Sequence, residues 1–413
     1  MIGKIAKGAL AVCVIVLLTL ATLELSIRLI GYTDSNGQFL IFDRTLPPYV
    51  VPLARIESEL QEYFNNKEAV TLIPDPATGW TYRPNSKRQD GTFTVNGAGL
   101  RALREYTMKP AADTLRIALF GDSFVAGDEV TDEEAWALLL EQELNRAGLK
   151  AEVLNFGVSG YSMTQAFLRW QALGKRFSPD MVIFVFQAEN LDRNVNVFHQ
   201  LYWQGGAVYS KPRFIIEDGS LSLVNSPVIP PEDLLDVMRA FDSHPLATHE
   251  AFYKGRDASS PIWRMSRVAG LLYDTFSHLN AVVAPARVYG ADSERGQLGE
   301  AIVGAFAADV ASSDATFTVL HLPHNIHFRA FHAGERAPWQ FLLDHIQDVY
   351  HFINAEDFLG VEYTDDSYFQ PFAHYGPEIN ARIAEVVSME LVTCIQEDTC
   401  QLPRFENTSD IWK

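Results

Sequence analysis

Leu115-Arg116-Ile117-Ala118-Leu119-Phe120-Gly121-Asp122-Ser123-Phe124 is the stretch on which the fold turns. Six residues with an apolar majority end abruptly at a glycine. A short apolar run bounded by turn residues reads as a buried strand. Working outward, Asp132 to Arg146 carries Trp136, Leu139, Leu140 and Leu144 at helical spacing. Ala151 to Phe156 is a second strand candidate, Thr164 to Leu173 a helix, and Met181 to Phe186 a third strand introduced by Pro179-Asp180. Strands alternating with helices at this spacing imply right-handed crossovers and a parallel sheet covered on both faces. The pattern lapses from Val197 to about Ser293, which reads as an insertion with short helical pieces at Glu232 to Phe241 and Ile262 to Ser277. It resumes with a helix at Gly299 to Ala311, a strand at Thr316 to Leu322, a helix at Pro338 to Val349, a short strand at Tyr350 to Ile353 and a helix at Glu378 to Thr393. The expectation is an α/β/α sandwich on a five-stranded parallel sheet, with a long insertion after the third strand. The core domain then spans 113–400, the insertion about 197–293, and a tail 401–413. Residues 31–112, punctuated by Pro47, Pro48, Pro52, Pro74, Pro76 and Pro84, read as an irregular connector packed on the core.

Open parallel sheets bind ligands beyond the carboxyl ends of their strands. Here those ends carry Gly121-Asp122-Ser123, then Asn155-Phe156-Gly157-Val158-Ser159-Gly160, then Gln187-Ala188-Glu189-Asn190. His374 precedes the last helix. A serine nucleophile needs a base, and its tetrahedral intermediate needs donors converging on one oxygen. Loops at strand ends supply both from distant positions.

The segment Arg116 to Gly127 resembles the first block of the SGNH (GDSL-like) hydrolase family. Gly157 in Asn155 to Ser162 resembles its second block, Asn190 falls where the third is expected, and His374 in His374-Tyr375-Gly376-Pro377 resembles the last. Val95 to Arg101 and the N-terminal apolar run resemble membrane-tethered members. The resemblance covers roughly 95–190 and 300–390. It implies a flavodoxin-like sheet and hydrolysis of an ester. Ser123 would attack the carbonyl. The Ser123 and Gly157 N–H groups and the Asn190 amide would hold the oxyanion, and His374 would take the serine proton. Asp122 would stabilise the turn. Two departures stand out. The aspartate that the family carries three residues before its histidine is Pro371 here. Either Asp365 or Asp366 orients the imidazole, or a backbone carbonyl does, or the chain works with a Ser-His dyad. The third block also lacks its usual glycine.

The formal net charge of -19 makes nucleic acid a poor partner. Lys4 and Lys7 precede the uncharged run Gly8 to Leu23, and the apolar stripe continues past Glu24 to Ile30. Such a start reads as a signal anchor over 1–30 or as a cleaved signal peptide, with Thr19 and Ala21 as a weak cleavage site; the anchor is the expectation. Positive charge stays inside, which places the bulk of the chain outside the cytoplasm. Cys394 and Cys400 close a small loop in an oxidising compartment or remain unrelated thiols. His321, His324, His327 and His332 do not match a helical zinc spacing, so no metal is expected. Neither a dinucleotide fingerprint nor a phosphate loop appears, and no cofactor is expected. Tyr202, Trp203, Tyr209, Tyr253 and Trp263 form either a sugar-stacking surface or a satellite core. The expected partners are an acylated carbohydrate or small ester and a membrane, with no oligomeric state fixed. The competing functions are a non-catalytic glycan-binding or polysaccharide-assembly protein, which Pro371 favours, and an O-acetyltransferase.

Overall fold

The computed structural model describes residues 2–42, 44–203, 208–253, 262, 265–397, 399–400, 402–405 and 411–412. Its longer helices are α1 (Ile2–Ile30), α2 (Leu53–Asn66), α3 (Trp136–Arg146), α4 (Met163–Ala172), α5 (Pro231–Arg239), α6 (Arg267–Val283), α7 (Glu294–Ala311), α8 (Gln340–Val349) and α9 (Pro377–Gln396). The central sheet comprises β1 (Leu115–Phe120), β2 (Ala151–Asn155), β3 (Met181–Phe186), β4 (Thr316–His321) and β5 (His351–Asn354). All pairings are parallel and the order is β5-β4-β3-β1-β2. That is the flavodoxin-like order, with β1 and β3 adjacent at the switch point.

Period-two alternation divides the core. Leu115, Ile117 and Leu119 face α3 and α9, whose Leu140, Leu144, Ile383 and Val387 close one layer. Ala118 and Phe120 face α4, α7 and α8 through Phe167, Trp170, Phe306 and Ile346. Arg116 on this second face is fully buried. Its guanidinium pairs with Glu152 at 2.6 Å and donates to the Thr107 and Phe177 carbonyls at 2.7 Å, so the buried charge is hydrogen-bonded.

The strands fall where the sequence places them, within a residue or two at most ends. The third helix starts later than its periodicity suggests, because extended Ala135 separates a 3-10 turn at Asp132–Glu134 from α3. The segment 31–112 is less irregular than expected. It holds α2 and short antiparallel pairs, among them Leu72–Asp75 with Gly79–Tyr82. Ile56 and Leu60 of α2 pack with Leu234 and Met238 of α5, so the connector and the insertion share a satellite core. After β3 the chain also forms an antiparallel hairpin, Arg213–Glu217 with Ser220–Val224. Cys394 and Cys400 form a disulfide at the end of α9. The stretch Lys7–Ile30 of α1 is long and apolar enough to cross a membrane.

Candidate active site

The Ser123 turn follows from the end of β1. Gly121 lets the chain bend close under Val125 and the Val185 carbonyl, where a Cβ would meet atoms at 2.6 and 3.2 Å. Asp122 then caps a one-turn helix, Ser123–Ala126, its Oδ1 accepting the Phe124 N–H at 3.0 Å. Its Oδ2 accepts from Asn190 Nδ2 at 2.9 Å and from Arg193 Nη1 at 2.7 Å. Both oxygens of this buried carboxylate are thus engaged in holding the turn.

His374 arrives from the other side. The segment Phe369 to Tyr375 folds back on itself, Phe369 bridging Tyr375 and the Gln370 N–H donating to the His374 carbonyl at 2.7 Å. The Tyr375 hydroxyl donates to the Pro323 carbonyl. Phe372 and Ala373 both take left-handed backbone, at φ 60° and 57°. Side chains other than glycine and asparagine seldom do so, and such strain clusters at functional sites. The result brings His374 Nε2 to 2.8 Å from Ser123 Oγ, across 251 positions of sequence. The Phe124 ring meets the imidazole edge-on at 5.1 Å between centroids.

Neither expected carboxylate is on that imidazole. Asp365 Oδ1 accepts the Ser367 N–H at 2.8 Å, and Asp366 pairs with Arg329. The 3-10 turns that carry them hold their side chains in solvent. Glu129 stands there instead, its Oε1 3.8 Å from His374 Nδ1. This is an ion-pair approach rather than a hydrogen bond, and Nδ1 is buried with no hydrogen-bond partner among the described residues. Glu129 is placed by its neighbour Asp128, which accepts from the Tyr82 hydroxyl at 3.0 Å and from Arg88 Nη2 at 3.1 Å, and which also pairs with Ser159.

Two of the groups expected as oxyanion donors are already engaged. The Gly157 N–H donates to Asn155 Oδ1 at 3.0 Å and is spent. Gly157 is needed for close approach, since a Cβ there would lie 2.6 Å from the Ala126 nitrogen. Asn190 gives its amide to Asp122 and, at 3.3 Å, to the Tyr161 carbonyl. Gly160, in left-handed conformation at φ 74°, lines the cavity with Ser123. No acceptor among the described residues takes its N–H. The signal in the sequence was a second glycine in the same loop. Arg193, one helical turn beyond Asn190, also lines the cavity and pairs with Glu189 at 2.7 Å.

The cavity over Ser123 and His374 measures about 640 Å³. Trp80, His199, Tyr202, Trp203 and Phe372 form part of its wall. Burial, then the charges of Arg193 and Lys211, push the His199 imidazole down to about 3, so it stays neutral. Tyr209 is buried beside Trp80 and Tyr253 packs on Phe241, whereas Trp263 lies outside the described residues. Of the clustered histidines, His321 Nδ1 meets the Phe186 carbonyl, His327 packs on Trp339 with the His324 ring 5.9 Å away, and His332 Nε2 meets the Leu359 carbonyl. His324 lines the cavity, 3.6 Å from Glu189, and burial first, then nearby His374, keep it below the ordinary imidazole value against the pull of Glu189.

No family profile matches the chain, and no curated protein matches it. Among solved structures, TesA matches at 15% identity over 67% of this chain and 97% of its own, with a TM-score of 0.35. A putative lipolytic protein of the G-D-S-L family from Desulfitobacterium hafniense matches at 11% identity over 66% and 98%, TM-score 0.33. A two-domain esterase active on acetylated mannans, crystallised with mannopentaose, matches at 12% identity over 68% and 50%, TM-score 0.36. Overlaps this partial assign no role to any residue of this chain.

Proposed function

We propose that the chain is an ester hydrolase in which Ser123 is the nucleophile and His374 the general base. The observation that carries this reading is the 2.8 Å contact between His374 Nε2 and Ser123 Oγ at the floor of an open cavity. That is hydrogen-bond reach for proton transfer. The imidazole takes the hydroxyl proton as Oγ attacks the ester carbonyl, then returns it to the leaving alkoxide. It next deprotonates water, which cleaves the acyl-serine and frees the acid. The Ser123 N–H, at the start of its helical turn, and the Gly160 N–H are the donors for the tetrahedral oxyanion. Glu129 takes the place left by Pro371, its charge 3.8 Å from Nδ1 stabilising the imidazolium. In the test, the purified chain is assayed for p-nitrophenol release from short acyl esters. Loss of that activity in both Ser123→Ala and His374→Ala supports the reading, and unchanged activity in Ser123→Ala overturns it.

The substrate we favour is an acylated carbohydrate. Tyr202 and half-exposed Trp203, whose ring lies 6.1 Å from that of Phe372, offer faces suited to sugar rings at the cavity wall. Acetate release from an O-acetylated glycan is the matching assay. We also propose that α1 anchors the chain with its catalytic part outside the cytoplasm. Lys4 and Lys7 at the start of the helix and the Cys394–Cys400 disulfide support that orientation.

A further inference from the structure

Helix α6 leaves the protein surface along its second half. From Thr275 to Val283 every residue whose exposure is described is exposed, Phe276 at 66% and Val283 at 72%. Leu272, Phe276, Leu279 and Val283 follow one another at spacings of three and four, which sets them on one stripe. Between Asp274 and Arg287 there is no lysine, arginine, aspartate or glutamate. A helical stretch of this length is marginal in water without tertiary contacts, since isolated helices need roughly 12–15 residues or more. An apolar stripe with no protein against it calls for a support outside the chain.

The root of α6 says what that support is. Glu24, the acid that interrupts the apolar run of α1, accepts the Arg267 N–H at 2.9 Å, the Val268 N–H at 3.0 Å and the Ser266 hydroxyl at 3.1 Å. It therefore caps α6 from within α1. Arg28 donates to the Met265 carbonyl at 3.1 Å, and buried Ile27 packs with Val268 and Leu271. Glu24 lies about 9 Å before the end of α1 at 1.5 Å rise per residue, so α6 starts beside the last turns of the apolar helix.

We infer that α6 is a second membrane contact, lying at the phospholipid headgroup–acyl boundary with its Leu272–Phe276–Leu279–Val283 stripe turned into the bilayer. The inference rests on the proposed anchoring of α1. Lipid fits better than a second protein because Glu24 and Ile27 tie the root of α6 to the last turns of α1, which themselves leave Leu25, Leu29 and Ile30 exposed. An uncharged stretch also lets a chain of net charge -19 approach a lipid surface without repulsion.

The test uses the full chain in a Cys13→Ser background, reconstituted in phosphatidylcholine vesicles. Phe276→Cys, Val283→Cys and, as reference, Glu300→Cys on α7 each carry an environment-sensitive fluorophore. The expected result is blue-shifted emission at positions 276 and 283, quenched at least twofold by doxyl-labelled lipid, with position 300 unaffected. Solvent-like emission at 276 and 283 in chains that stay with the vesicles after an alkaline wash overturns the inference and leaves the anchor standing. Release by that wash overturns both. Self-quenching at 276 that rises with protein density, without quenching by lipid, assigns the stripe to a second copy and also overturns the inference.

Discussion

Ser123 and His374 meet, but the chain builds the two sides of that contact differently. The serine side is sheet-made: β1 ends, Gly121 bends, and Asp122 is clamped by the Phe124 N–H, Asn190 and Arg193. The histidine side is loop-made, with left-handed Phe372 and Ala373 and a ring nitrogen whose nearest carboxylate is still 3.8 Å away. A firmly held serine thus faces a strained, incompletely bonded imidazole, and under the proposed reaction the second side is the one to tighten as substrate binds, since catalytic hydrogen bonds in empty sites are often long.

The largest expected effect falls on the serine side. Ser123→Ala lowers kcat by about 10⁴-fold or more while thermal unfolding stays within a few degrees, because nothing in the scaffold depends on Oγ. Residual activity above that level would place the nucleophile elsewhere. Next, Arg193→Met strips one partner from buried Asp122 and costs about 3 kcal/mol in denaturant unfolding. A neutral outcome would mean that the serine turn is less tightly clamped than its bonds indicate.

On the histidine side the effects shrink. Glu129→Gln lowers kcat/KM by about 10–100-fold with little change in stability, whereas Asp365→Asn and Asp366→Asn leave it unchanged. The reverse pattern would return the orienting role to the 3-10 turns. Lys211, which donates to the Arg193 carbonyl behind the serine turn, tests the scaffold by pH. Burial, opposed by Glu250, lowers it to about 7, so between about pH 7 and 10.5 the unfolded chain binds the extra proton. Stability therefore rises with pH across that window, by at most about 1.4 kcal/mol per unit, and Lys211→Met flattens the slope. The smallest effect is Ala373→Gly, which relieves left-handed strain and stabilises by about 0.5–1 kcal/mol. A loss there would mean the loop is less strained than its φ angles imply.

The same division governs what could be read from sequence. Strand β3 is a continuous apolar run and β1, β2 and β4 are mostly apolar, as burial on two faces requires, and the strand ends carry the turn residues that mark a site. Ser123 and His374 stand out because a strand end and a helix start flank them. The carboxylate nearest the His374 imidazole comes not from its own stretch of sequence but from the loop after Ser123. The adjacent Asp128 is fixed by Tyr82, Arg88 and Ser159, partners far from it in sequence. Gly157 and Gly160 are alike in sequence; which one keeps a free N–H depends on the Asn155 side chain. Helix α2 was hidden by the prolines around it, although Ile56, Leu60 and Tyr63 have helical spacing.

The far end of the sheet has a practical side. Arg404 pairs with Asp180, just before β3, and the Ile411 carbonyl accepts the Lys150 N–H, just before β2. In a parallel sheet those are the ends remote from Ser123. A reporter or surface tether joined at Trp412 would thus leave the molecule on the side away from Ser123, and the immobilised chain should keep its cavity open to solution.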